Sequence, residues 1–291
     1  MLSKGNPTTC SAPYFALRSA TPLNDATARQ RAEFPPRAAA ILSRRTLKTD
    51  YPALAAALLP GMRVLDAGCG TGAMTLGMAQ AVAPARVVGV DVSADLLTKA
   101  RQQRQAQENL SFVQADLYAL PFEAEFDVVV AARVLQWLAE AQRAVRELAR
   151  VLRPGGRLYL LDYQHYQATL EPAPPASMRH FRECYLAWRA DAGFQNNMAD
   201  QLPTLLAGAG LNDIQTVPQL ETVRRGEPDF ESRIGLWGEV AATRGHQVVA
   251  AGYLSEAERE QAEREFAVWA RDQAQMQTLT LSSASASKPT R

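Results

Sequence analysis

The stretch Val64-Leu65-Asp66-Ala67-Gly68-Cys69-Gly70-Thr71-Gly72 constrains this chain more than any other. Its first half, from Arg63 to Leu65, reads as the start of a strand, and its second half carries a glycine at every second position. An apolar run with helical spacing, Met74 to Val82, follows. Strand, tight glycine turn and helix is the expected order. Glycine suits such a turn because the backbone takes positive φ and a ligand can come close with no Cβ in the way. The first turn of the next helix then points unpaired N–H groups into the crevice.

Two ligand classes use this architecture. Gly68-x-Gly70-x-x-Ala73 satisfies the dinucleotide fingerprint, which leaves a nicotinamide reading open. An acid two positions before the first glycine, and a third glycine at Gly72, point elsewhere. Beside a pyrophosphate, an anion at Asp66 is repelled; beside an ammonium group it is attracted.

Three further stretches stand at matching distances. Arg86 to Val92 (RVVGVDV) is a buried-strand pattern ending in Asp91, about twenty residues after the glycine turn, where an acid can accept ribose hydroxyls. Asn109 to Asp116 (NLSFVQAD) is a third strand pattern, and Phe126 to Val130 (FDVVV) a fourth, followed by Ala131-Ala132-Arg133. Leu148 to Leu161 (LARVLRPGGRLYLL) closes a helix with Arg-Pro-Gly-Gly and opens a fifth strand.

From Leu58 to Tyr163 these motifs resemble the class I S-adenosylmethionine (SAM) methyltransferases, and within them the small-molecule group of ubiquinone and menaquinone biosynthesis. The resemblance implies a doubly wound, mostly parallel α/β sheet of seven strands, Rossmann-like, with helical insertions. It implies SAM as cofactor, held by Asp66, Gly68, Cys69, Gly70 and Gly72 of the glycine turn and by Asp91 and Val92 after the second strand. Asp116 and Leu117 take the adenine side, and Arg133 stands at the end of the fourth strand. The expected activity is in-line methyl transfer to an oxygen, nitrogen or carbon of a small organic acceptor. A nicotinamide-dependent oxidoreductase and a non-catalytic subunit supporting a partner enzyme are the alternatives.

At 291 residues, with 47% hydrophobic and 21% charged residues, the chain can bury a full core. A net charge of +1 gives no global reason to expect nucleic acid or an acidic membrane as partner. The opening residues carry no apolar targeting core, and no apolar run is long enough to span a bilayer, so a cytoplasmic monomer or homodimer is expected. Cys10, Cys69 and Cys184 lack paired spacing, so neither a disulfide framework nor a metal site is expected. Cys69 reads as a small side chain fitted into a tight turn.

Residues 1–57 read as an N-terminal tail with lid helices. Met1 to Leu23 has the composition of a loose segment, in which Tyr14 and Phe15 are lid candidates, and Pro35-Pro36 breaks one helix from another. Residues 58–163 form the SAM-binding core. Within it Ser93 caps a helix, and Leu135 to Leu152 reads as helical, with Arg143, Arg146, Arg150 and Arg153 on a solvated face. Residues 164–200 form a substrate-covering insertion, whose helix Ser177 to Asp191 carries Met178, Phe181, Tyr185 and Trp188 on one side. Residues 201–281 complete the sheet, with a helix Leu202 to Gly210, a sixth strand Asp213 to Val223 and a seventh Met276 to Leu281. A helical insertion at 229–271 lies between those strands, its last helix started by the capping box Ser255-Glu256-Ala257-Glu258. Residues 282–291 read as a loose Ser/Ala-rich tail.

Methyl transfer from a sulfonium needs alignment and dehydration, and a base only where the acceptor must lose a proton. His165, just after the fifth strand, and His180, on the insertion helix, are the candidate bases, with Tyr163 and Tyr166 shaping the acceptor pocket; His246 ranks below them. No acidic cluster for a divalent metal follows the fourth strand, and Ala131 to Val134 lacks the Asn/Asp-Pro-Pro-Tyr motif of adenine and glutamine N-methyltransferases.

Overall fold

A computed structural model describes residues 25–33, 42–103 and 107–290. The expectations for the tail, including Cys10, Tyr14 and Phe15, and for the Pro35-Pro36 break lie outside the described residues. Eight strands form one sheet: β1 (Val64–Ala67), β2 (Val87–Asp91), β3 (Leu110–Gln114), β4 (Phe126–Ala132), β5 (Leu152–Tyr163), β6 (Thr169–Glu171), β7 (Asn212–Arg224) and β8 (Met276–Ser287). Strands β3, β2, β1, β4 and β5 run parallel in that order, and β8 joins antiparallel to β5. One edge of β8 pairs with β5 and β6, and the other with β7. The eighth strand beyond the seven expected is the short β6, which continues the β5 edge.

The order in which successive strands are added reverses at β1, whose two neighbours are β2 and β4, all three running parallel. In open sheets of this kind the crevice beyond the carboxyl ends at that reversal is where ligands bind. The period of two along β1 decides which layer each residue joins. Leu65 and Ala67 pack with the helices α6 (Ala141–Arg150) and α8 (Met198–Gly208), while Val64 packs with α3 (Pro52–Ala57) and α4 (Ala73–Val82).

Helix α5 (Ala94–Gln103) starts as read: Leu96 N–H donates to Ser93 Oγ at 3.3 Å, and Leu96, Leu97 and Ala100 are buried. The capping box at Ser255 is formed in full at the start of α12 (Glu256–Asp272). Helices α7 (Ala176–Asp191), α9 (Phe230–Ile234), α10 (Leu236–Thr243), α11 (Gly245–Ala250) and α12 bury their own apolar cluster, in which Met178, Phe181, Tyr185 and Trp188 all take part.

Two local expectations change. The span Leu135 to Leu152 is not one helix: Leu135–Trp137 is a 3₁₀ turn, Leu138 is extended, and α6 begins only at Ala141. Long-range bonds hold the break, since the Gln136 amide donates to Asp162 Oδ2 and the Glu140 amide to the Tyr118 hydroxyl. The residues 282–287 expected in a loose tail are strand, with Ser283, Ala284, Ser285 and Ala286 buried between β5 and β7.

Candidate active site

The glycine turn takes the predicted backbone. Gly68, Gly70 and Gly72 have φ of +76°, +56° and +75°, and Gly72 is the N-cap of α4. The close approach that excludes a Cβ is made largely by the protein itself. A Cβ on Gly68 would lie 2.4 Å from Val134 Cγ2, and one on Gly72 would lie 2.7 Å from the Phe112 ring. Gly72 thus shapes the turn from behind, whereas Asp66, Gly68, Cys69 and Gly70 line a cavity of about 860 Å³.

Three carboxylates stand along this cavity at or just after the carboxyl ends of the first three strands. Asp66 is buried at the end of β1 and accepts the Thr75 hydroxyl at 2.6 Å. Burial pushes its carboxyl up to about 6 against that bond, with the charge of Asp91 adding to the rise. Asp91 accepts the amides of Gly70 and Ser93, each at 2.9 Å, and burial raises its carboxyl too. Asp116 accepts the Tyr118 amide at 2.9 Å, which closes an Asx turn. Val92 and Leu117 line the same wall, the first exposed and the second buried. Burial and the two nearby acids push the Cys69 thiol well above its ordinary range, which leaves it a packing group.

Much of the remaining lining is aromatic and apolar. Trp137, Tyr163, Tyr185, Leu236, Trp237 and Val240 belong to it, with Arg244 among them. Ala28 and Ala32 of α1 (Asp25–Ala32), with Leu42 and Arg45, also line the cavity, so the N-terminal segment and both insertions contribute to its wall. The Arg31 guanidinium lies 5.2 Å from the Trp188 ring and 5.8 Å from that of Tyr253, and Arg244 donates to the Arg31 carbonyl at 3.0 Å. Those contacts tie α1 to the insertion helices.

Arg133 lines the cavity, with Nε and Nη2 of its guanidinium committed to the protein and Nη1 buried with no hydrogen-bond partner among the described residues. It pairs with Glu221 of β7, donates to the Tyr163 hydroxyl at 3.0 Å and donates to the Asp50 carbonyl at 2.9 Å. Its φ of +62° is a left-handed conformation that a non-glycine residue adopts at a cost of about 1 kcal/mol or more. This residue ties β4, β5 and β7 together at the mouth of the site.

The structure separates the two candidate histidines. His165 lines the cavity, stacked on Tyr163 with ring centroids 5.2 Å apart, and its Nε2 lies 2.7 Å from Gln136 Oε1. Burial and the charges of Arg189 and Arg182 push its imidazole well below the usual histidine range, so the ring is neutral. His180 is corrected: it lies outside the cavity, with Nε2 3.7 Å from Cys184 Sγ and 3.9 Å from Glu258 Oε1. The face of α7 that packs inward carries Phe181 and Tyr185, and His180 is left on its flank. His246 is a surface residue 3.5 Å from Glu256.

Sequence reasoning passed over Gln136, Arg189 and Asp162. Arg189 is fully buried and donates to Asn196 Oδ1 at 2.8 Å and to both the carbonyl and Oε1 of Gln136 at 3.1 Å. Asp162, buried with its carboxyl pushed up to about 6, accepts the Gln136 amide at 3.1 Å. One signal was available: Arg189 sits four residues after Tyr185, in line with the apolar stripe of its helix.

A family model described as a methyltransferase domain matches residues 65–160. The chain is 37% identical over 111 residues to the demethylmenaquinone methyltransferase of Lactococcus lactis, a match covering 37% of this chain and 44% of that protein. It is 40% identical over 127 residues to the trans-aconitate 2-methyltransferase of an Azoarcus species, covering 44% of this chain and 46% of the relative. The chain thus spans about half the length of these relatives. A longer match, 30% identical over 209 residues, joins 69% of this chain to 74% of an uncharacterised protein of Mycobacterium tuberculosis. Among solved structures, the YcgJ protein of Bacillus subtilis shares the fold, with a TM-score of 0.54 at 20% identity, covering 82% of this chain and 97% of the other. The glycine turn, the sheet order and these matches agree that the chain belongs to the class I SAM-dependent methyltransferases.

Proposed function

We propose that this enzyme methylates a small, largely apolar organic acceptor and that His165 takes the proton the acceptor loses. The observation that carries this reading is that one cavity is lined both by the carboxylates Asp66, Asp91 and Asp116 and by a set of aromatic and apolar side chains, with His165 stacked on Tyr163 in its wall. At about 860 Å³ the cavity lies at the large end of ligand sites, which suits two ligands side by side. Relatives named for demethylmenaquinone and trans-aconitate support a small organic acceptor.

The residues fit SAM. Asp66, buried and only partly compensated by Thr75, suits the ammonium end, where a positive partner removes the strain of its burial. Asp91, oriented by two backbone amides, is the acceptor for the ribose hydroxyls, and Asp116 with Leu117 takes the adenine side. Bound SAM supplies an electrophilic methyl group on a sulfonium. The protein's part is alignment, dehydration and handling of the proton. Leu236, Trp237, Val240 and Ala28 line the cavity with apolar surface that excludes water from the acceptor. His165, neutral and weakly basic, is suited to an acceptor whose O–H or N–H becomes strongly acidic as the methyl bond forms.

The test is a screen of phenols, carboxylic acids and amines with SAM, read by S-adenosylhomocysteine release and by product mass. With an acceptor in hand, His165→Ala is expected to lower turnover about a hundredfold or more, the range of a general base. Unchanged turnover in that variant rules out the proton role.

A further inference from the structure

Gln136, which lines the cavity, is hydrogen-bonded through its backbone and through both ends of its carboxamide. Its amide N–H goes to Asp162, its side-chain Nε2 donates to the Arg133 carbonyl at 3.3 Å, and its carbonyl and Oε1 both accept Arg189 at 3.1 Å. The orientation of its carboxamide is thereby settled chemically. Turned over, the NH₂ group would face a guanidinium, donor against donor, and the oxygen would face a carbonyl. Oε1 therefore points at His165 Nε2, 2.7 Å away, and an amide oxygen can only accept. The proton of a neutral His165 must stand on Nε2.

The other ring nitrogen follows. Nδ1 makes no hydrogen bond to any described residue, and the ring is part of the cavity wall. We propose that Gln136, locked by Arg189, is the positioning residue that fixes His165 as its Nε2–H tautomer and leaves the Nδ1 lone pair as the proton acceptor of the site. The inference rests on the base reading of His165 for its purpose, and on hydrogen-bond geometry alone for the tautomer. In the step it serves, the acceptor's O–H or N–H bond breaks with its electron pair left on the acceptor, and the proton moves to Nδ1. The resulting imidazolium keeps its Nε2–H on Gln136 and faces Arg189 and Arg182 of α7, with Tyr163 stacked on it and Asp162 behind Gln136. Two cations against one carboxylate make the charged ring short-lived, so the proton is passed on to water and the base resets.

The chain has three histidines, so imidazole nitrogen spectra of the full-length protein, labelled with ¹⁵N, are readily assigned with His180→Gln and His246→Gln references. The expected result is a neutral His165 with the proton on Nε2 throughout pH 6–8. Gln136→Glu, which sets a carboxylate between Arg189 and the ring, is expected to keep the proton on Nε2 and move the titration upward by one pH unit or more. Gln136→Met, which removes the acceptor, is expected to give a mixture of tautomers while S-adenosylhomocysteine affinity stays within threefold. If Gln136→Met fails to fold, the wild-type and Gln136→Glu spectra still decide. A proton on Nδ1 in the wild type, a charged ring at pH 7, or an unchanged single tautomer in folded Gln136→Met overturns the proposal. None of these readouts needs turnover, so failure of the base reading in the acceptor assay leaves a distinct signature.

Discussion

Asp91 Oδ2 accepts the amide of Gly70 at 2.9 Å, so the acid at the end of β2 is also the clamp that holds the glycine turn. Its other oxygen holds the Ser93 amide, which starts α5. One side chain thus couples the proposed ribose position to the backbone of both loops that frame it.

Asp91→Ala is therefore expected to weaken S-adenosylhomocysteine binding by about 1.5–3 kcal/mol, the range for hydrogen bonds to a charged group. Asp91→Asn keeps an oxygen for one of the two amides and is expected to lose less. Calorimetric titration of both variants measures the difference. Equal affinity in wild type and Asp91→Ala refutes the ribose assignment.

Asp66 sets stability against binding. Its folded carboxyl titrates at about 6, above its unfolded value of 3.8. Between those values the folded chain holds the extra proton, so stability falls as pH rises through the window and the cost is complete above it. Asp66→Asn is expected to raise the stability of the ligand-free protein at pH 7 by about 1–3 kcal/mol. The same change is expected to cost at least tenfold in affinity for S-adenosylhomocysteine, whose ammonium group loses its partner. In the wild type, that affinity is expected to fall as pH drops below 6. Thermal melts and titrations at pH 5, 6 and 7 check both signs; a destabilised Asp66→Asn would contradict them.

Gly68 can be tested against Val134. A Cβ at Gly68 meets Val134 Cγ2 at 2.4 Å and sits on a backbone with φ of +76°. Gly68→Ala is expected to destabilise by about 2–4 kcal/mol, overpacking and left-handed strain together. Adding Val134→Ala removes the crowding methyls and leaves the strain, so the double variant is expected to recover part of the loss. Denaturant melts of the four proteins give the coupling directly.

The sequence revealed those parts of the fold whose signal is local. Each of the first four strands is an apolar run of a few residues, and Asp66, Asp91 and Asp116 can be read off because they stand at or just after strand ends. The aromatic stripe of α7 was visible for the same reason, through its helical spacing. What joins the site across the sheet was hidden. Glu221 reaches Arg133 across 88 residues and Arg189 reaches Gln136 across 53, and no periodicity marks either pair. The expected helix over Leu135 to Leu152 failed at the same place, because Asp162 and Tyr118 bind the chain there from elsewhere in the fold. The candidate base was readable as a histidine after β5, but its tautomer depends on residues three elements apart.

The last strand was missed for a different reason, and it yields the sharpest stability prediction. Ser282 to Ser287 (SSASAS) is made of serine and alanine alone, with no β-branched or large residue to signal a strand. In the sheet, β8 lies between β5 and β7, and small side chains fill both of its faces there. Ser283 donates to the Tyr51 hydroxyl at 3.1 Å, and that hydroxyl donates to the Leu160 carbonyl at 2.8 Å, which ties the strand to the chain before β1. Lys288 ends the strand by donating from Nζ to the carbonyls of Arg150 and Leu152 at 2.9 and 2.7 Å. A chain stopped after Lys288 keeps every one of these bonds and is expected to melt within a few degrees of the full protein and to bind S-adenosylhomocysteine normally. A chain stopped after Leu281 exposes the inner edges of both β5 and β7 and is expected to be recovered only as aggregate. A soluble, cofactor-binding protein from the shorter chain would mean that the paired end of β8 is dispensable to the core.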